Sequence, residues 1–172
     1  MVSVDGYFEG PGHDISWHNV DAEFNVFANQ QLKESGVLLF GHRTYELMAS
    51  YWPTAKGATA KFMNEMPKYV ASHTPFTSDW SGTTVLSGDA THEIKKLKEQ
   101  AGKDIALLGS NNLCVSLMEE GLVDEFRIMV NPVALGTGSS LFIGLSKTTK
   151  LQLIKTREFK SGNILNYYIP VK

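Results

Sequence analysis

Two short stretches place donor-rich residues where an apolar run gives way to a helix. In LLFGHRTYELM (38–48) the run ends at Gly41, and His42, Arg43 and Thr44 follow directly. Free backbone N–H groups at a helix start, with the positive end of its dipole, favour an anion. Gly41 lets the backbone approach closely, Thr44 adds a hydroxyl donor, and Arg43 can pair a phosphate through two N–H groups. A solvated arginine and a capping threonine explain the same residues equally well. ALLGSNNL (106–113) repeats the pattern without a basic residue, through Gly109, Ser110, Asn111 and Asn112. Two such turns suit a ligand with more than one phosphate, such as a dinucleotide. Neither is a P-loop, which ends in GK[ST], and neither is a GxGxxG turn. VASHT (70–74) offers Ser72 and His73 at a third strand end. In a parallel sheet they would share an edge with Arg43 and suit the adenosine end of a dinucleotide, although Pro75 also makes them ordinary turn residues. His42 is given no role.

Near the N-terminus, Asp5, Trp17 and Asp21 surround a glycine-rich loop. An acid there can anchor a substrate's amide or amino groups, and Trp17 can stack on a ring; Asp21 reads equally well as a helix N-cap. GxSxG, HExxH and the HxE and PCxxC pieces of zinc deaminases are all missing. The five histidines (13, 18, 42, 73 and 92) lack metal-ligand spacing, and the single cysteine, Cys114, excludes a multi-thiolate zinc site and reads as a small buried hydrophobe. No metal is expected. LGTGSSLFIG (135–144) resembles a glycine loop, but no helical pattern follows it, so it reads as a connection between strands.

The elements that must position these residues alternate. VSV (2–4), VLLF (37–40), KYVAS (68–72), TTVL (83–86), IALL (105–108) and VDEFRIMV (123–130) read as strands; GYFEGPGHD (6–14) reads as a loop. Helices are expected from Asp21 to a stop at Gly36, over RTYELMASYW (43–52) until Pro53, from Thr91 to Ala101 with Ile94, Leu97 and Ala101 inward, and over NNLCVSLMEEG (111–121). LQLIKTREF (151–159) and NILNYYIPV (163–171) flank Lys160, Ser161 and Gly162 as a hairpin. Strand–helix alternation implies a three-layer α/β/α sandwich with a central mixed, mostly parallel sheet and a C-terminal antiparallel hairpin. The length of 172 residues fits a single domain over 1–172.

Sixteen basic against eighteen acidic residues argue against a nucleic-acid partner, and no apolar stretch approaches the roughly 18 residues of a membrane span. A cytoplasmic protein is the default expectation. The strand-rich C-terminus can pack across a two-fold axis or fold onto its own sheet.

Placed in order, SVDGYF (3–8), GHRTYELM (41–48), GSNNL (109–113) and EEGLVDEFRIMVNPVALGTGSSLF (119–142) resemble the C-terminal reductase domain of the bifunctional riboflavin-biosynthesis deaminase-reductase. That domain has the dihydrofolate reductase fold, and the chain is similar to stand-alone members of the superfamily. The resemblance implies NADPH as cofactor, hydride transfer to a small heterocyclic substrate, and a homodimer. It also implies that Gly41, Arg43 and Thr44 hold phosphates, Arg43 near the 2′-phosphate, and that Gly109, Ser110 and Asn111 hold the pyrophosphate. Ser72 and His73 would flank the adenosine, and Asp5 would lie near the nicotinamide. Trp17 to Asp21 echoes the tryptophan–proline–acid segment of dihydrofolate reductases, without the proline and with the acid one residue nearer, which speaks against folate reduction. Hydride transfer asks the protein for orientation and electrostatics rather than a covalent nucleophile, which suits a chain without a catalytic triad. The rival expectation is a non-catalytic NADP(H)-binding protein acting as sensor or scaffold.

Overall fold

Apolar runs become strands and periodic stretches become helices along most of the chain. The computed structural model describes residues 1–100 and 102–171. In chain order they form β1 (Val2–Ser3), β2 (Tyr7–Glu9), a 3-10 turn (Pro11–His13), α1 (Ala22–Glu34), β3 (Ser35–Gly41), α2 (His42–Tyr51) and α3 (Ala58–Glu65). Then follow β4 (Lys68–Ser72), β5 (Thr83–Ser87), α4 (Ala90–Glu99), β6 (Asp104–Leu107), α5 (Asn111–Glu119), β7 (Phe126–Asn131), β8 (Ser139–Ser140), β9 (Leu151–Glu158) and β10 (Ile164–Pro170). This is an α/β protein with a mostly parallel sheet, five α-helices among the described residues, and an antiparallel strand set. None of those helices is long and apolar enough to cross a membrane.

Asn25–Leu113 form one compact unit. Its sheet has the order β5-β4-β3-β6 and is parallel throughout. Leu38, Leu39 and Phe40 are all buried, as a strand covered on both faces requires. With Leu32, Tyr45, Met63, Met66, Val70 and Trp80, Leu38 and Phe40 form the core of this unit. Lys68, fully buried, ties α3 to the sheet. Its Nζ donates to the carbonyls of Met63 (2.9 Å), Asn64 (3.2 Å) and Met66 (2.7 Å) and lies 4.8 Å from the centre of the Trp80 ring. Burial pulls its pKa down to about 8, still above neutrality, so the ammonium is the form that makes these bonds.

Met1–Phe24 with Cys114–Lys172 form the second unit. Its larger sheet runs β1-β7-β10-β9, with β1 parallel to β7 and the other pairs antiparallel. Val2, Phe126, Met129 and Leu165 are buried. A separate ribbon pairs β2 with β8.

Four expectations need correction. Gly36 does not stop α1, because Ser35 and Gly36 already belong to β3 and the helix passes straight into the strand. Residues 7–9, read as loop, are a strand: Tyr7 and Glu9 pair with Ser140 and Ser139 of the glycine-rich connection. The strand expected from Val123 begins at Phe126. The helix α3 has no counterpart among the expected elements. The α4 helix matches over most of its length, with Ile94 buried and Asp89 accepting from the His92 N–H as N-cap; Ala101 lies outside the described residues.

Candidate functional site

The two donor-rich turns meet. Gly41 is the N-cap of α2, and no side chain caps that helix start. The Gly41 N–H instead donates to Ser110 Oγ at 2.8 Å, so the turn after β3 is tied to the turn after β6. A Cβ on Gly41 would stand 3.3 Å from Ser110 Oγ and 3.4 Å from Ser110 Cβ, so the two turns approach closely here. Ser110 itself is buried, with a left-handed φ of 60° following Gly109 at 63°. Its hydroxyl thus braces the turns and ties the start of α2 to the start of α5. Arg43 is exposed at the second position of α2, Thr44 is half-buried behind it, and Asn111 and Asn112 open α5. Neither helix carries an acidic residue in its first turn. With no acidic residue in either first turn, this donor set fits a phosphate-bearing nucleotide.

The end of β4 lies alongside, since Gly41 pairs with Ala71 and Ser72 is next. Here the structure adds a residue that sequence reasoning set aside. Ser72 Oγ donates to Thr74 O at 2.6 Å, so toward His42 Nδ1, 3.2 Å away, it serves as acceptor. The His42 ring stacks on Phe76 with centroids 4.3 Å apart and planes 6° from parallel. Its Nε2 is 3.6 Å from Glu46 Oε1. His73 is exposed. The signal available in the sequence was the i,i+4 spacing of His42 and Glu46 on a helix.

The N-terminal candidates belong to the other unit and prove to be engaged. Asp5 accepts from Ser3 Oγ (2.6 Å) and from the backbone N–H groups of Leu135 (3.1 Å) and Gly136 (2.7 Å). The Ser3 hydroxyl, then the Gly136 amide, hold its carboxyl down at about 2. Asp21 Oδ1 accepts from the Phe24 N–H at 2.7 Å and is the N-cap of α1. Trp17 donates Nε1 to Asp14 O at 2.9 Å and meets His18 edge-on at 4.5 Å. The segment behind Trp17 is clamped. Asn19 donates its N–H to Asn131 Oδ1 (2.9 Å) and its side-chain amide to Ser161 O (3.0 Å), while its carbonyl accepts from Asn163 Nδ2 (2.8 Å). Glu23 accepts from the Lys160 N–H at 2.9 Å, so the turn of the β9–β10 hairpin grips both sides of Asp21. Burial pulls His18 down to about 4 and leaves it neutral.

One further pair escaped sequence reasoning. His13 Nδ1 lies 2.8 Å from Glu9 Oε1; the His13 side chain is 51 % exposed and that of Glu9 only 11 %. The pairing was hidden because 6–14 read as featureless loop. No group of three or more His, Cys, Asp or Glu residues that would hold a metal occurs among the described residues. Cys114 is free and buried, its thiol pushed up to about 11 by that burial.

Known proteins share this architecture. The chain is 32% identical over 174 residues to the uncharacterized protein YyaP of Bacillus subtilis (strain 168), covering 97% of this chain and 90% of that one. A solved protein from Shewanella sp. PV-4 assigned to riboflavin biosynthesis superposes with a TM-score of 0.77 at 20% identity, covering 99% of this chain and 96% of the other. A pyrimidine reductase-like protein from Corynebacterium diphtheriae gives 0.73 at 15% identity, with 99% and 89% covered. Dihydrofolate reductase from Enterococcus faecalis, complexed with NADP(H), gives 0.68 at 13% identity, with 99% and 93% covered. At these identities the solved structures establish the fold. Residues 1–165 match the profile of the RibD C-terminal domain, a single match running through both compact units, and the chain therefore belongs to the RibD C-terminal domain family.

Proposed function

We propose that the chain is an NADPH-dependent reductase that passes hydride to a small heterocyclic substrate of pyrimidine or pterin type. The observation that carries this reading is the bond from the Gly41 N–H to Ser110 Oγ, because it sets two donor-rich helix starts, neither with an acidic residue in its first turn, side by side beyond the carboxyl ends of a parallel sheet. Membership in the RibD C-terminal family supports a reductase. Likeness in fold to a dihydrofolate reductase complexed with NADP(H) is in keeping with a nicotinamide cofactor.

Bound cofactor supplies the hydride. The chain's own part is to hold it: the first amides of α2 and α5 take phosphate oxygens, and Arg43 meets the 2′-phosphate with Thr44 behind it. Ser72, His73 and the stacked His42–Phe76 pair border the adenosine.

Fluorescence titration of NADPH against NADH tests this assignment. NADPH should bind more tightly, and Arg43→Ala should cost about 1.5–3 kcal/mol in NADPH affinity, the worth of a charge-assisted phosphate contact, while NADH hardly changes. Equal or undetectable binding of the two nucleotides would sink it. One observation favours the second reading, a nucleotide-binding protein without turnover: both N-terminal carboxylates are occupied, Asp5 by loop amides and Asp21 by α1. A panel of pterins, pyrimidines and quinones decides between them.

A further inference from the structure

The clamp behind Trp17 is polar, buried and incomplete on its own. Asn163, fully buried, has its amide nitrogen engaged: Nδ2 donates to the Asn19 carbonyl at 2.8 Å and to Met129 Sδ at 3.5 Å. Turning that amide over would set its oxygen against the Asn19 carbonyl, so Oδ1 is fixed as the opposite, accepting end. No donor of the protein reaches Asn163 Oδ1. The same holds for two more atoms shut off from solvent, Ser161 Oγ and His18 Nε2, and among the described residues these three side-chain atoms are alone in this. They are not scattered. Asn19 joins their residues, for it follows His18 in the chain, gives its side-chain amide to Ser161 O at 3.0 Å and takes the Asn163 amide on its carbonyl. Asn163 is also held by its own turn, its carbonyl accepting from the Phe159 N–H at 2.9 Å. Buried polar atoms that find no protein partner are satisfied in native folds by internal water, which makes about three hydrogen bonds.

We propose that His18, Ser161 and Asn163 form an internal water site, in which the water donates to Asn163 Oδ1 and bridges it to Ser161 Oγ and His18 Nε2. The chemistry of the three atoms suits that ligand. Asn163 Oδ1 can only accept, and the Ser161 hydroxyl can give or take. Burial keeps the His18 ring neutral, so its Nε2 gives or takes according to the tautomer. A water matches them with two hydrogens and two lone pairs. A metal ion is disfavoured, because none of the three atoms carries a charge. An organic ligand would have to open the clamp to reach them. The segment that carries Trp17 is thereby fastened to the β9–β10 turn twice, directly through Asn19 and again through water. The site lies wholly within the unit of Met1–Phe24 and Cys114–Lys172, and it stands whether or not the chain is a reductase.

A crystal structure of the whole chain, at a resolution that shows ordered water, is the test. Density should stand about 2.5–3.2 Å from Asn163 Oδ1 and from at least one of Ser161 Oγ and His18 Nε2. A protein donor on Asn163 Oδ1, or no density beside it, would overturn the site. So would a peak at about 2.3–2.6 Å with further oxygen ligands, which marks a metal ion. In solution, ¹⁷O magnetic relaxation dispersion counts long-lived internal waters and is blind to exchanging hydroxyl protons. The double variant His18→Phe with Ser161→Ala keeps a ring beside Trp17 and leaves the water a single partner. Its dispersion amplitude should fall by the contribution of one water. An amplitude equal to that of wild type, in a variant with native circular dichroism, would overturn the site. The wild-type crystal decides the matter even if that variant fails to fold.

Discussion

A Cβ would be crowded at both Gly41 and Gly138, but to different degrees. At Gly41 the backbone is ordinary, φ −78°, and Ser110 needs to yield only a few tenths of an ångström. At Gly138, φ is 145° and the obstacle is backbone, the Glu9 carbonyl. Gly41→Ala should therefore cost about 1 kcal/mol or less in stability and show itself chiefly as weaker NADPH binding. Gly138→Ala should cost about 2–3 kcal/mol, through overpacking and lost backbone freedom. Urea midpoints of the two variants check the order. His18 yields a pH prediction. Burial takes it from 6.5 to about 4, so it is neutral in the folded chain. Above pH 6.5 it costs nothing; below, the unfolded chain takes up a proton that the folded chain refuses, and stability falls as pH drops toward 4. The urea midpoint should decline across that window, less steeply in His18→Gln; identical slopes would clear His18 of the effect. Asp5 acts lower, its contribution present above 3.8 and lost as pH falls through about 2.

At the scale of elements, continuous apolar runs and N-caps were legible because local chemistry dictates them: Leu38 to Phe40 read as a buried strand, and Asp21 read as the N-cap it is. The eight-residue α3 was not legible. Only Ala60 and Met63 of ATAKFMNE are buried, and its C-terminal carbonyls are satisfied by a lysine three residues beyond the helix. That is a tertiary cause with no local signature. Replacing the lysine removes three charge-assisted bonds at once and leaves carbonyls unpaired, so Lys68→Met should lose about 2–4 kcal/mol. Hydrogen exchange at the end of α3 should rise with it. Exchange confined to other elements would show that the contacts are incidental. The strand β2 escaped for a related reason, since its partner is the two-residue β8, far away in sequence.

For the whole molecule, the phosphate-friendly turns could be read from sequence because each is a contiguous motif. What joins them could not, as Gly41 and Ser110 are 69 residues apart. Glu9 was invisible as a buried acid because the strand that carries it, β2, pairs with Ser139 and Ser140, far along the chain. The edge strand β9 offers a further expectation. Leu153 and Ile154 on it, and Ile164 on β10, are exposed, and a register shift sits between Tyr167 and Tyr168. An apolar edge of this kind is stabilised by self-association. Light scattering at micromolar concentration should give a dimer, and Leu153→Lys with Ile164→Lys a monomer; a monomeric wild type would remove the idea. Finally, the amine of Lys68 is sealed from solvent, whereas none of the other described lysines is buried. An amine-reactive reagent must wait for the unit Asn25–Leu113 to open before it can label this position. The chain therefore holds a chemical clock, and the labelling rate at Lys68 by mass spectrometry would report how often that unit unfolds.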